Sequence, residues 1–135
     1  MRLLIDADAC PVRKQIEQVA RKYRMLVLFY VNTSCHIRSN YGRVIKVDTY
    51  PDAVDEALLR RCSRNDVVVT QDFGLAAKCL AHEAYVVHPN GWLYTEETFL
   101  KKHRKNMPKR KKDDDKNFEW LFEEVLRMAR MKMIS

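Results

Sequence analysis

The chain has 135 residues, a net charge of +7, and 47% apolar and 32% charged residues. That size suits one domain that buries its own core without disulfides or a structural metal, and the balance is that of a globular protein rather than a disordered one. No run approaches the about 20 apolar residues a bilayer span needs, and Arg2-Leu3-Leu4-Ile5 is cut off by Asp6 too soon for a signal-peptide core, so a single cytoplasmic domain over residues 1–135 is expected.

Arg2 to Ile5 reads as a short buried strand. Pro11 suits the first turn of a helix, where a missing N–H costs nothing. Val12, Ile16, Val19, Ala20 and Tyr23 then recur at helical spacing, with Arg13, Lys14, Arg21 and Lys22 off that stripe. Met25 to Val31 is an unbroken apolar run, as in a strand covered on both faces. Asn32 to Gly42 is loop-like, and Val44 to Val47 is a third strand. Pro51 opens a second helix that runs to about Cys62, and Asn65-Asp66 is a turn. Val67 to Thr70 is the fourth strand, Leu75 to His82 the third helix and Tyr85 to Val87 the fifth strand. His88-Pro89-Asn90-Gly91 closes that strand with a turn.

Thr95, Glu96 and Glu97 begin a fourth helix that enters a basic segment interrupted by Pro108. Asp113, Asp114 and Asp115 favour the positive end of a last helix, about residues 115–131. Its Phe118, Leu121, Phe122, Val125, Leu126 and Ala129 keep the helical period. That face is expected to pack on the sheet; Trp120, Met128, Met131 and Met133 add apolar surface that suits a homodimer contact instead. Strands alternating with helices imply an α/β fold, a mostly parallel sheet with helices on both faces.

Charge is unevenly placed. Lys101, Lys102, Arg104, Lys105, Lys109, Arg110, Lys111 and Lys112 put eight cations in twelve positions and outweigh the whole excess of +7. A local contact with a polyanion, nucleic acid above all, fits that better than general surface charging. The four cysteines, Cys10, Cys35, Cys62 and Cys79, form no CxxC pair and suggest neither a disulfide framework nor a zinc site. Cys62 and Cys79 fall on apolar helix sides and should be buried. His36, His82, His88 and His103 have no metal-ligand spacing.

In a doubly wound sheet, ligands sit beyond the carboxyl ends of the strands, where strand order reverses. Strand one ends at Asp6 with Asp8 just after it, and strand four ends at Thr70-Gln71-Asp72. If those strands are neighbours, both groups of acids meet in one crevice. The second helix adds Asp52, Asp55 and Glu56, with Asp55 at the edge of the apolar stripe. Converging carboxylates repel one another and raise one another's pKa. A hard divalent cation, Mg²⁺ or Mn²⁺, relieves that repulsion and suits hydrolysis of a phosphodiester. Asp6, Asp8, Asp55 and Asp72 are the candidate metal ligands, Asp6, Asp55 and Asp72 the candidate catalytic acids, and Thr70 and Gln71 candidate contacts to water or substrate. Plainer roles stand beside these. Asp72 can cap the third helix, Asp8 the first, and Asp52 the second. A lowered thiol pKa at Cys10 has no histidine beside it in sequence to support nucleophilic catalysis.

The strings Asp6-Ala7-Asp8-Ala9-Cys10-Pro11-Val12, Pro51-Asp52-Ala53-Val54-Asp55, Val69-Thr70-Gln71-Asp72 with Leu75-Ala76, and His88-Pro89-Asn90-Gly91 with Tyr94-Thr95 occur in that order. Together they resemble the YaiI/YqxD family of uncharacterised bacterial proteins, over residues 1 to about 100. The Asp-rich stretch before Phe118 is similar to that family's ending, although the segment before it is short and glycine-free where family members usually carry a longer Arg- and Gly-rich one. The resemblance implies a PIN-like nuclease domain with a Rossmann-like sheet and metal-dependent cleavage of RNA. PIN-like acids lie after strand one, on a middle helix and after strand four, the places of Asp6, Asp55 and Asp72, and Asp8 adds a fourth.

Three functions follow as expectations. The first is a metal-dependent ribonuclease, with the basic segment on the RNA backbone. The second is a nucleic-acid-binding protein without catalysis. The third is a phosphatase, since Asp6-Ala7-Asp8 after a strand also resembles the haloacid-dehalogenase-like nucleophile motif, though Cys10 stands where Thr or Val is usual and no separate lysine motif is clear.

Overall fold

The computed structural model describes residues 1–8, 10–103 and 111–134, and of residues 100–103 and 134 the backbone alone. Six strands form one sheet in the order β3-β2-β1-β4-β5-β6. They are β1 (Leu3–Asp6), β2 (Val27–Asn32), β3 (Arg43–Val47), β4 (Val67–Val69), β5 (Tyr85–His88) and β6 (Trp92–Leu93). The first five run parallel and β6 pairs antiparallel with β5. The helices are α1 (Arg13–Lys22), α2 (Ala53–Arg61), α3 (Phe73–Ala81), α4 (Glu96–His103) and α5 (Asp114–Ile134). This is the α/β architecture expected, a mostly parallel sheet between helical layers.

Alternation along each strand sorts the core into two layers. Leu3 and Ile5 of β1 join Ile16 and Val19 of α1 and Phe118, Phe122 and Leu126 of α5 on one face. Leu4 points to the other face, among Leu58 of α2 and Leu75 and Cys79 of α3. Burying each such large apolar side chain contributes about 1.5–3 kcal/mol, which outweighs the modest helix propensity of the short segments. Strand order runs outward from β1 to β3, then resumes at β4 on the other flank of β1. The reversal between β1 and β4 is the switch point at which such sheets open a crevice.

Several local details correct the sequence reading. Pro11 lies in a turn before α1, which begins at Arg13. Pro51 likewise precedes α2, and Asp52 takes a left-handed backbone (φ 66°) at the N-cap without any side-chain capping bond. Its carboxylate is therefore not the cap expected there. Asp8 does not cap α1 either, because Val12 holds that place. The turn at His88 continues into a strand, β6, that the sequence reading leaves out. Gly91 closes this hairpin at φ 92°, and a Cβ there would stand 2.9 Å from the Phe118 backbone N. The last helix is longer than the expected 115–131, spanning Asp114–Ile134.

Other expectations hold. Cys62 and Cys79 are buried, and the cysteines described are free thiols. The inner stripe of α5 packs on the sheet, while Trp120 (68% exposed), Met128, Met131 and Met133 face outward. Among the described residues, no helix is long and apolar enough to cross a membrane. Of the basic segment, Arg104, Lys105, Lys109 and Arg110 lie outside the described residues, as do the side chains of Lys101 and Lys102; Lys111 and Lys112 are exposed just before α5.

Candidate functional site

The condition for convergence is met, since β1 and β4 are neighbours with Ile5 opposite Val69. One step further along both strands brings Asp6 beside Thr70. The Thr70 hydroxyl donates to Asp6 Oδ2 at 2.8 Å and accepts from the Asp72 backbone N–H at 3.0 Å. Thr70 is fully buried, so its side chain is a fixed bracket between the two acids.

Each acid is placed by its own element. Asp72 is the N-cap of α3, its Oδ1 accepting from Leu75 N–H at 3.0 Å. That is the capping role read from the sequence, and it holds one carboxylate oxygen in position while the other stays available. Asp8 turns across the sheet edge, where its Oδ1 accepts from the Asn32 backbone N–H at the end of β2, 3.1 Å away. Asp55 comes from the first turn of α2 and stands close enough to Asp72 and Asp6 for their charges to repel.

Asp6, Asp8, Gln71 and Asp72 line one open cavity of about 280 Å³. Of the residues named from the sequence, Asp6, Asp8, Gln71 and Asp72 line this cavity and Thr70 links Asp6 to Asp72 behind it, while Asp55 is near enough to repel Asp6 and Asp72 but is not part of the lining. Asp52 and Glu56 are not among the cavity's lining; Glu56 accepts from the Tyr50 hydroxyl at the surface. Lys111 and Lys112 do not line this cavity either.

The electrostatics follow from crowding at a half-buried edge. Burial pushes the Asp6 carboxyl up to about 6; the Thr70 hydrogen bond opposes this, and Asp55, Asp8 and Asp72 add repulsion. Asp55 is also pushed up to about 6, by burial first and then by Asp72 and Asp52, with Lys78 opposing. The donor set is all oxygen, as Mg²⁺ and Mn²⁺ prefer. Among the described residues no three or more of His, Cys, Asp and Glu are grouped so as to hold an ion by themselves. An ion here would be completed by water and phosphate oxygens, the usual habit of Mg²⁺.

Sequence reasoning missed Tyr94. Its buried hydroxyl donates to the Thr70 carbonyl at 3.0 Å and so props the bracket from behind. Burial raises its phenol pKa, and Asp72 and Asp6 add to this. The signal lay in the residues after Gly91, which a hairpin assignment would have folded back over β5. His88 is buried and structural, with Nδ1 accepting from Asn90 N–H at 3.0 Å and its ring stacked on Trp92 at 4.4 Å. Cys10 is buried in the turn after Asp8, its backbone N–H on the Ala7 carbonyl.

Comparison with known proteins gives a consistent family picture. The model of DUF188, the uncharacterised YaiI/YqxD family, matches residues 4–128. A UPF0178 protein of Natranaerobius thermophilus is 40% identical over 93% of this chain and 96% of its own length. One of Lachnoclostridium phytofermentans is 37% identical over 94% of the chain and 97% of its own length. One of Clostridium acetobutylicum is 35% identical over 93% and 97%. No solved structure matches the chain.

Proposed function

We propose that this chain, which belongs to the YaiI/YqxD family, is a divalent-metal-dependent ribonuclease that hydrolyses phosphodiesters at the carboxyl edge of its sheet. The observation that carries this is the meeting of Asp6, Asp8, Gln71 and Asp72 around one cavity at the β1–β4 switch point. Structural acids are normally spread out or paired with cations. Here they are gathered, and their mutual repulsion raises the pKa of Asp6 and Asp55.

In this reading Asp6 and Asp72 hold Mg²⁺ or Mn²⁺, with Asp8 and Asp55 completing the acidic ring directly or through water. The ion supplies charge neutralisation for the phosphate and a more acidic water. The chain's own residues do the positioning. Thr70 orients the Asp6 carboxylate, Leu75 N–H fixes Asp72, and Gln71 offers an amide to a phosphate oxygen at the cavity mouth. RNA cleavage with Mn²⁺, compared between wild type and Asp72→Asn, tests the proposal. Equal cleavage by both, or none by wild type, contradicts it.

A non-catalytic nucleic-acid-binding protein is the second reading, favoured by the concentration of positive charge in residues 101–112. It predicts RNA binding that survives Asp72→Asn with no cleavage to lose. Phosphoryl transfer to Asp6 is the least favoured reading, since Thr70 already holds one oxygen of that carboxylate and Cys10 stands where Thr or Val is usual in the motif. Trapping with beryllium fluoride tests it.

A further inference from the structure

A second and larger cavity, of about 570 Å³, adjoins the same turn. Cys10 and Pro11 of the β1–α1 turn, Arg13 and Lys14 of α1, and Arg38 and Asn40 of the β2–β3 loop wall it. Among the described residues, the side chains of Arg13, Lys14 and Arg38 have no hydrogen-bond or ion-pair partner. Three cations around one hollow repel one another, an arrangement that favours an anion between them. The helix start adds to this, since α1 has no side-chain cap and no acid in its first turn, leaving backbone N–H groups and the positive dipole end toward the same place. Gln15 also lines the cavity, and its Oε1 is shut off from solvent with no hydrogen-bond partner. Glu17 and Asp115 reach the wall too, so the cations lead the acids by three to two.

We propose that this cavity is a second nucleic-acid backbone site, in which Arg13, Lys14 and Arg38 hold phosphates of the strand next to the one presented to the carboxylates. The inference rests on the reading of the carboxylate edge as a phosphodiester site. Continuity supports it: Asp8 lines the first cavity and Cys10, two residues on in the same turn, lines the second. A strand lying over this turn presents one phosphate to each. Arg13 and Arg38 also bring the planar fork that grips phosphate oxygens in pairs.

The test is binding of a fluorescein-labelled single-stranded oligoribonucleotide, in EDTA and at several salt concentrations, to the full-length chain. Arg13→Ala/Arg38→Ala should weaken binding about tenfold or more and flatten the log–log salt slope by about 1.4, or about 0.7 for each phosphate no longer neutralised. Arg13→Lys/Arg38→Lys should recover most of the affinity. Arg60→Ala/Arg64→Ala removes the same charge at the C-terminal end of α2 and just beyond it, and should stay within about twofold of wild type if the effect is local. Thermal melts of each variant show that it is folded. Unchanged affinity and slope in Arg13→Ala/Arg38→Ala, or an equal weakening in Arg60→Ala/Arg64→Ala, overturns the proposal.

Wild-type hydrolysis of bis(4-nitrophenyl) phosphate with Mn²⁺ is measured alongside. Hydrolysis together with unchanged oligonucleotide binding by Arg13→Ala/Arg38→Ala overturns only the second site. No hydrolysis together with a specific weakening of binding overturns the carboxylate reading and leaves the second cavity as a nucleic-acid site.

Discussion

The Thr70 hydroxyl donates to Asp6 Oδ2 across 2.8 Å, joining the carboxyl ends of β4 and β1 at the point where strand order reverses. One buried hydroxyl thus sets the aim of the deepest acid of the cluster and, by accepting from Asp72 N–H, the start of α3 as well. Thr70→Val removes both functions. Asp6 should then titrate above its present value of about 6, because the hydrogen bond is the one influence that lowers it. Carboxyl NMR titration reads this directly. Stability should fall by about 1–3 kcal/mol, the usual cost of stranding a buried polar partner. An unmoved Asp6 titration would mean that the bond is not formed in solution.

The metal-free protein should lose stability as pH rises through about 6. Asp6 and Asp55 both move up from 3.8 to about 6 on folding, so between those values the folded chain binds more protons than the unfolded one. Their favourable contribution is fully present below about pH 4 and is lost as pH passes through about 6. Asp6→Asn removes its share, and at pH 8 the variant should be more stable than wild type, by on the order of 1–3 kcal/mol. Asp55 is less deeply placed than Asp6 and should matter less. Urea denaturation at pH 5 and pH 8 checks the sign, and a variant less stable than wild type at pH 8 contradicts it.

Asp72 has two jobs that substitution can separate. Asn keeps an oxygen for Leu75 N–H and removes the charge, whereas Ala removes both. Asp72→Ala should lose about 1 kcal/mol of stability as a lost cap, while Asp72→Asn should stay near wild type at pH 7.5. Both should lose metal binding. A large stability loss in Asp72→Asn would mean that the charge itself holds the fold.

Tyr94→Phe leaves the Thr70 carbonyl without its 3.0 Å donor. The expected cost is about 1 kcal/mol in a chemical melt, with a loosened Thr70 and hence an altered Asp6 titration. A melt identical to wild type would show that this prop is idle.

The sheet is legible in the sequence because its strands are apolar runs cut by acids and turns, and because a buried parallel strand has few other readings. Asp6 and Asp72 are legible for the same reason, as charged residues directly at strand ends. Their adjacency is not, because β1 and β4 are separated by about sixty residues of chain and only the topology brings them together. Local sequence alone offers Asp8 and Asp52 as caps. Tertiary geometry decides otherwise, drawing Asp8 to Asn32 and turning Asp52 into a left-handed corner. The two-residue strand β6 is too short to carry a period, so Tyr94 stays hidden. The basic cavity is invisible in the sequence because Arg38 and Arg13 are far apart along the chain and neither belongs to a charge run.

The most direct test is titration calorimetry of Mn²⁺ into wild type and Asp72→Asn at pH 7.5, followed by RNA cleavage on the same samples. The account predicts Mn²⁺ binding and Mn²⁺-dependent cleavage by wild type, both lost in Asp72→Asn. Wild type that takes up no Mn²⁺, or that cleaves as well with Asn at position 72, contradicts it.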